Sequence, residues 1–373
     1  MIAGAKVGAG AARHERLEAL VAEEGLDQLI VGDLVRPGDS GPDAIANLRW
    51  LTGFTGTSGL ALVGPETRVF ITDFRYVERA EREVDDRFER AIAAQRLLPE
   101  VVGRLRGRVG FDDTHTSVAS LRKLEEEAPD GVELVAAGGR VERLRRAKDD
   151  GEQERIAAAA RLADEAYEWV LERGLTGRSE REVARAAEAR IRELGGEPAF
   201  PAIVAAGENG ALPHAEASER EITAGDLVVF DMGALLDGYC SDCTRTFAAG
   251  EPDPEAREVY ELVRTAQAAA LEAVGPGVGG ADADEVARAI IRDAGHGDHF
   301  GHGLGHGVGL EVHEAPRLGQ RSEDALAEGD VVTVEPGVYV PGRFGVRIED
   351  LVVITADGPR NLSSLPKELR VVG

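Results

Sequence analysis

Cysteine is nearly absent: the chain has two in 373 residues, Cys240 and Cys243. Their C-x-x-C spacing suggests thiol redox or zinc chemistry, but they fall in a stretch that reads as extended, where three residues span about 10 Å. A disulfide tolerates a Cα separation of about 7 Å, and side chains three apart on a strand point to opposite faces. The pair therefore reads as small packing residues, with Cys240 on the face of Asp242. Long hydrophobic runs are missing too, so no segment is expected to span a membrane. The amino-terminal MIAGAKVGAGAARHER has no apolar stretch of signal-peptide length. A cytoplasmic protein is expected, with residues 1–11 as a loose tail. Positive charge is short as well, leaving a net charge of −25. Nucleic acid needs a basic face to meet its phosphates and is excluded as a partner.

What the chain does have is histidine set among glycines. FGHGLGHGVGLEVHE, 300 to 314, places His302, His306 and His313 among Gly301, Gly303, Gly305, Gly307 and Gly309. Histidines four apart match the spacing of a zinc-binding helix, but no glutamate follows either one, and each glycine would cost a helix about 1 kcal/mol. The segment is expected to be extended or looped. Residues two apart then share a face, so His302, Leu304 and His306 should line one side while the glycines leave the other bare for a neighbouring backbone. His14, His115, His296 and His299 lack such surroundings and read as satisfied packing histidines.

Two other stretches put carboxylates where apolar residues belong. In DMGALLDGYCSDCTRT, 231 to 246, the apolar run 227–230 leads into Asp231, and Asp237-Gly238 signals a two-residue hairpin turn. That register sets Leu236 opposite Tyr239 and Gly233 opposite Asp242, so Asp231 becomes the diagonal neighbour of Asp242, about 7 to 8 Å away. Carboxylates converging in an apolar setting repel unless a cation lies between them. VVTVEPGVYV, 331 to 340, and GVRIEDLVVI, 345 to 354, carry Glu335 and Glu349 on either side of a hairpin loop at Pro341-Gly342-Arg343-Phe344. A two-residue turn would send these glutamates to opposite faces and a three-residue loop would make them direct partners; the sequence leaves that register open.

Asp231, Asp242, Glu335, Glu349 and the imidazole of His306 form a set suited to two divalent ions. Four carboxylates cancel two dications and leave room for one bridging hydroxide. Oxygen-dominated donors with one imidazole favour manganese, with cobalt or zinc as alternatives, whereas a structural zinc site wants thiolates. Two such ions about 3.5 to 4 Å apart lower the pKa of a shared water and polarise a carbonyl together, which implies hydrolysis.

The segments PAFPAIVAAGENGALPHAEAS (198–218), DMGALLDGYCSDCTRTF, FGHGLGHGVGLEVHEAP, TVEPGVY and GVRIED resemble, in order and spacing, the motifs of the pita-bread metallopeptidases, in the Xaa-Pro aminopeptidase and prolidase branch. The resemblance implies that Asp231 holds one metal, that Asp242 and Glu349 bridge both, and that His306 and Glu335 complete the other. It implies Glu335 as the proton shuttle and His214 and His313 as donors to the scissile amide and its developing oxyanion. His302 and Arg347 would stand around the substrate, the guanidinium able to fork onto a carboxylate. From the residues alone, Arg347 serves equally as a partner for nearby Glu349 or Asp350. The implied substrates are peptides with proline at the second position. HGLGH resembles the aminopeptidase form, so Xaa-Pro aminopeptidase is the primary expectation and Xaa-Pro dipeptidase (prolidase) the alternative. The metal-free creatinase branch lacks these ligands, and methionine aminopeptidases usually lack a preceding domain. An inactive pita-bread module that only binds peptides would have lost ligands, and here all five are present. Relatives of this kind are commonly dimers, so a homodimer is implied.

Residues 12–145 alternate amphipathic helices and short strands with almost no polar residue inside an apolar run. HERLEALVAEEGLDQLIVGD reads as helix then strand, LALVGPETRVFITDFRY as a hairpin running into a helix, and RVGFDD and TSVASLRKLEEEA as a further strand and helix. NLRWLTGFTG (47–56) and TDFRY (72–76) resemble the creatinase-like domain that precedes the pita-bread domain, with Trp50 and Phe54 read as packed aromatics. The expected architecture is α/β in two domains: an α/β creatinase-like domain over 1–146 and an α+β pita-bread catalytic domain over 147–373. A linking turn is expected near Asp149-Asp150-Gly151, followed by a long helix.

Overall fold

The structure, a computed structural model, describes residues 9–32, 42–94 and 96–373. The chain divides into two compact units, Met1–Arg145 and Arg146–Gly373. The first begins with α1 (Ala9–Glu23), β1 (Gln28–Val31) and α2 (Pro42–Thr52), followed by the hairpin of β2 (Gly59–Gly64) and β3 (Thr67–Asp73). It continues through α3 (Val77–Glu83), β4 (Glu89–Ala93), α4 (Leu97–Val102), β5 (Arg108–Phe111), α5 (Val118–Glu127), β6 (Glu133–Ala136) and α6 (Arg140–Arg146). One six-stranded sheet results, ordered β4-β3-β2-β1-β5-β6. The tight β2–β3 turn gives an antiparallel pair, while β3–β4 and β5–β6 are parallel, because α3 and α5 supply the longer crossovers that parallel pairing needs. Leu60, Leu62, Val69, Ile71 and Leu124 form its core. Trp50 and Phe54 are buried, Phe54 lying edge-on to both Phe70 and Tyr76. Of the loose tail expected over 1–11, residues 1–8 lie outside the described residues, and α1 already starts at Ala9. No helix among the described residues is long and apolar enough to cross a membrane.

The second unit opens with α7 (Asp150–Leu171) and α8 (Glu180–Glu193). The turn expected at Asp149-Asp150-Gly151 is instead a helix start. The Asp149 side chain accepts from Glu152 N at 2.9 Å, and the Glu152 carboxylate accepts from Asp149 N at 3.0 Å. This reciprocal capping box satisfies two donors that a helix start leaves free, so Asp150 and Gly151 belong to the first turn. Next come β7 (Glu197–Pro198), β8 (Ile203–Ala206), β9 (Leu227–Asp231), β10 (Ala234–Leu236), β11 (Tyr239–Cys240) and β12 (Thr244–Ala248). After α9 (Pro254–Ala273) and α10 (Gly280–Ile291) follow β13 (Gly305–Gly307), β14 (Glu314–Leu318) and β15 (Val331–Val334). The last strands are β16 (Gly337–Val340), β17 (Phe344–Arg347), β18 (Asp350–Thr355) and β19 (Gly358–Asn361). The main sheets are β12-β9-β8 and β14-β13-β15-β18-β19, with β11-β10-β7 and β16-β17 beside them. Tyr167, Val170, Val183 and Ile191 of α7 and α8 pack on Val204, Val228 and Phe230. Val259, Val263 and Ile291 of α9 and α10 pack on Val332, Val334 and Ile354. Each helix pair thus covers one sheet.

Both carboxylate-bearing hairpins keep a single register across an interruption. Leu236 faces Tyr239 over a turn in which Asp237 and Gly238 have φ of 48° and 80°, the pair of positive φ that a two-residue Asp-Gly hairpin needs. The same register resumes beyond the gap with Asp231 opposite Thr244. In the other hairpin Val340 faces Phe344, so the loop is the three residues Pro341, Gly342 and Arg343, and on the far side of the gap Val334 faces Asp350. Glu335 and Glu349 therefore fall opposite each other, between the two ladders.

The glycine-histidine segment is extended only from Gly305 to Gly307. An added Cβ on Gly305 would sit 2.1 Å from Thr333 O, and one on Gly307 would sit 2.2 Å from Ala315 O. The bare side expected of these glycines does meet neighbouring backbone. The shared face expected of His302, Leu304 and His306 does not form: the bend before Gly305 breaks the alternation, and Leu304 is fully buried in the apolar cluster with Ile291 and Val334.

Candidate functional site

Asp231 closes β9, Asp242 precedes β12, His306 sits in β13, Glu335 follows β15 and Glu349 precedes β18. All five lie at or beside places where a ladder starts or stops, which lets side chains from separate strands converge. Donor atoms of Asp231, Asp242 and Glu349 lie within 4.8 Å of one another, as do those of His306, Glu335 and Glu349, and those of Asp242, His306 and His313. Glu349 joins the first two trios and Asp242 and His306 link them, so the donors surround two neighbouring positions. Threonines in the strands fix their orientation. Thr244 Oγ1 donates to Glu349 Oε2 at 2.7 Å, and Thr333 Oγ1 donates to Glu335 Oε1 at 2.9 Å.

The residues fit divalent cations on their own chemistry. Asp231 Oδ1 and Glu349 Oε1 are buried with no hydrogen-bond partner among the described residues. Burial, then Glu349 and Asp231 nearby, pushes the Asp242 carboxyl well above the usual carboxylate range, and burial with Glu335 does the same to Glu349. Burial raises Asp231 as well, against the pull of Arg347. Glu335 is pulled down only while His306 is doubly protonated and donates to it; beside a neutral His306 it shares the burial that raises the others. Such a cluster is stable as anions only if positive charge enters it. His306 points the same way. Its Nδ1 lies 3.1 Å from Gly307 O, which can only accept, so Nδ1 carries the proton. The Nε2 lone pair then faces Glu335 Oε1 at 3.2 Å and Asp242 Oδ2 at 3.6 Å. Three acceptors directed at one another are the arrangement of a metal-binding imidazole and its co-ligands.

Arg347 corrects one expectation. It pairs with neither Glu349 nor Asp350: its Nη2 donates to Asp231 Oδ2 at 2.6 Å, Nε to Thr244 Oγ1 at 2.9 Å, and Nη1 to Tyr339 Oη at 2.9 Å and Pro213 O at 3.3 Å. Asp350 instead binds Arg245 at 2.8 Å and Lys367 at 2.7 Å. From Arg347 a chain of hydrogen bonds reaches His302. His302 Nδ1 donates to Gly303 O at 2.8 Å, so Nε2 accepts from Tyr339 Oη at 2.9 Å. Burial lowers the His302 pKa, which keeps the ring neutral for that role. The loop carrying His302 is clamped from α10. Arg288 donates to Phe300 O and His302 O, both at 2.7 Å, and forks onto Asp284, whose Oδ1 also accepts from Leu304 N at 2.9 Å.

A cavity of about 1270 Å³ opens onto these donors, lined by His214, His302, His313 and Arg347 together with Phe200 and Pro201. His313, exposed to the cavity, lies edge-on to His306, ring centroids 4.2 Å apart, and partial desolvation with the charge of Arg317 lowers its pKa to about 4. Sequence reasoning missed Arg317, which faces His306 across the β13–β14 ladder and lines the same cavity. It also missed Thr244, Thr333, Tyr339 and the Arg288–Asp284 clamp. Tyr339 stood four residues beyond Glu335 as a polar group in an apolar strand, a signal of the same kind that marked the glutamates. Among the remaining histidines, His115 bonds Asp112 at 2.8 Å, and His296 and His299 face each other at 3.1 Å. His14 is buried, yet neither ring nitrogen has a partner among the described residues, so it is not the satisfied packing residue expected.

Residues 154–356 match the metallopeptidase family M24, and residues 13–147 match the creatinase/prolidase N-terminal domain. An Xaa-Pro dipeptidase of Pyrococcus furiosus is 37% identical over 361 residues, covering 95% of this chain and 99% of its own. A solved Xaa-Pro dipeptidase from Bacillus anthracis superposes with a TM-score of 0.91 at 38% identity, covering 97% of this chain and 100% of that one. A solved X-Pro aminopeptidase from Thermotoga maritima MSB8 does so with a TM-score of 0.87 at 35% identity, covering 96% and 100%. The convergent carboxylates and imidazole thus lie within a matched family domain, and the chain belongs to metallopeptidase family M24, a peptidase whose catalytic domain follows a creatinase-like N-terminal domain.

Proposed function

We propose that this enzyme cleaves the bond before proline in Xaa-Pro dipeptides, with two divalent ions, manganese first among them, held by Asp231, Asp242, His306, Glu335 and Glu349. The observation that carries the reading is the buried Asp231 Oδ1 and Glu349 Oε1, without hydrogen-bond partners among the described residues, amid five converging donors on the wall of the cavity. When bound, the ions supply acidification of a shared water and polarisation of the scissile carbonyl. The chain's own groups do the rest. Glu335, on the wall of the cavity, takes the proton from the attacking water and passes it toward the departing proline nitrogen. His313, neutral at a pKa of about 4, carries one N–H to aim at the oxygen as the amide becomes tetrahedral. His214 lines the same cavity as the second donor, and the Arg347–Tyr339–His302 chain holds Asp231 and His302 in fixed orientation. Phe200 and Pro201 offer an apolar wall to a pyrrolidine ring.

Arg317 favours the dipeptide. Its guanidinium shares the face of His306 and is near enough to His313 to act on its pKa, a position from which it can fork onto a free C-terminal carboxylate. The relatives named Xaa-Pro dipeptidase support this choice. The second reading, an Xaa-Pro aminopeptidase acting on longer peptides, rests on volume: about 1270 Å³ exceeds the roughly 300 to 1000 Å³ of an ordinary small-molecule pocket. The test uses metal-stripped protein reloaded with manganese and assayed on Xaa-Pro and Xaa-Pro-Yaa. Stripped protein should be inactive and reloaded protein should prefer the dipeptide. Arg317→Ala should raise KM for the dipeptide about 10- to 100-fold, the worth of a charged hydrogen bond, and leave the tripeptide unaffected. A tripeptide preference that Arg317→Ala does not alter would replace the dipeptidase with the aminopeptidase.

A further inference from the structure

Lys148 and Glu314 form an ion pair that the chemistry above does not use. Lys148 Nζ lies 2.5 Å from Glu314 Oε1, with the two side chains 1% and 7% exposed. Among the described residues the ammonium makes no hydrogen bond, so the charge of Glu314 is what meets it. Both ends are anchored. Lys148 N donates to Gly329 O at 2.8 Å, and Lys148 O accepts from Gln153 Nε2 at 2.9 Å, which fixes the residue just before the Asp149 cap of α7. Glu314 is the first residue of β14 and faces Gly307 across the ladder. Its carboxylate lies against Gly309, where an added Cβ would meet Oε1 at 2.5 Å.

The loop between β13 and β14 therefore leaves His306, passes over the Glu314 carboxylate at Gly309, and returns through His313 into Glu314. The His313 ring makes no hydrogen bond among the described residues and rests edge-on against His306. Its placement follows from the backbone of the next residue. We propose that the buried Lys148–Glu314 ion pair is a positioning device that holds His313 over the metal centre, so that Lys148, in the segment between α6 and α7, acts on catalysis through Glu314 and His313. The inference rests on the reading of His313 as an oxyanion donor.

A buried pair invites a test that separates fold from position. Removing one partner strands a charge and destabilises; removing both with neutral side chains of similar shape is often neutral. Lys148→Met should lower the Tm, and the double variant Lys148→Met/Glu314→Gln should restore it. Manganese content, by elemental analysis, should stay that of the wild type in the double variant. Its kcat on an Xaa-Pro dipeptide should nevertheless remain about 100-fold low with KM little changed, the penalty of a misplaced group. In a His313→Ala background the same two substitutions should cost nothing more. Gly309→Ala, which pushes on the Glu314 carboxylate without deleting a charge, should reproduce the kcat loss and lose its effect in the same background. Normal kcat in the restored double variant and in Gly309→Ala would reduce the pair to a structural role and overturn the proposal. An equal loss with and without His313 would overturn it too. Near-normal turnover of His313→Ala alone would identify the His313 reading as the part that failed.

Discussion

Two buried histidines show how surroundings decide what one residue type does. His306 has its Nδ1 proton on Gly307 O and its other nitrogen directed at two carboxylates. His14 is 1% exposed, lies edge-on to Phe88 at 4.8 Å, and has both nitrogens empty among the described residues. Burial, then the charge of Arg87, lowers its pKa from 6.5 to about 4, while Asp85 and Glu18 pull weakly the other way. The folded value lies below the unfolded one, so the unfolded chain takes up the proton first as the pH falls. His14 therefore leaves stability untouched above pH 6.5 and removes it progressively between about 6.5 and 4, by about 3 kcal/mol when complete. His14→Leu should flatten that part of the acid limb, read as the difference in urea midpoint between pH 7 and pH 4.5 for variant and wild type. Equal acid sensitivity of the two would show that another group titrates. The sequence marked His306 through its glycine neighbours, but whether His14 finds a partner depends on residues such as Phe88, 74 positions away, and composition carries no trace of that.

At the scale of elements, what was legible is what is local. Asp237-Gly238 permits one turn type, and that turn sets the register that brings Asp231 and Asp242 together. The register of Glu335 and Glu349 stayed open because Pro341-Gly342-Arg343-Phe344 permits loops of two or three residues, and the choice is made by the ladders on either side. Partners chosen across the fold were not legible: Arg347 reaches Asp231, 116 residues back, rather than its neighbours Glu349 or Asp350. The same holds for Arg288, whose role depends on α10 packing beneath the His302 loop. The glycines were legible as spacers but not in their contacts. Gly305 has Thr333 O where its Cβ would be, and Thr333 Oγ1 both accepts from His306 N and donates to Glu335. Gly305→Ala should thus move two donors at once, costing about 1 to 3 kcal/mol of stability and about 10- to 100-fold in manganese affinity. Titration calorimetry checks the second figure, and an unchanged affinity would mean that β13 and β15 separate without disturbing the donors.

The whole chain carries a net charge of −25, and its second unit adds to that repulsion by burying Asp231, Asp242 and Glu349 side by side. The fold as it stands answers part of this with Arg347, which neutralises Asp231 but leaves Asp242 and Glu349 to each other. Cations that bind only the assembled donors stabilise the folded state by mass action, about 4 kcal/mol at a thousandfold excess over Kd. In a unit of about 200 residues each kcal/mol moves the Tm by about 2 to 4 °C, so manganese saturation should raise the Tm of stripped protein by on the order of 10 °C. A generic effect of salt on so acidic a chain has to be separated from this, since ions also screen exposed charges beyond about 10 Å at 0.1 M. Sodium chloride at matched ionic strength supplies that baseline. Asp242→Asn supplies the second control, because it removes one of the buried charges and one of the donors together. The stripped variant should melt at or above the stripped wild type, since the repulsion is relieved, yet manganese should raise its Tm little beyond the salt baseline. A manganese shift no larger than that of sodium chloride, or one that survives intact in Asp242→Asn, would mean that these carboxylates hold no cation and that the hydrolytic reading of the site is wrong.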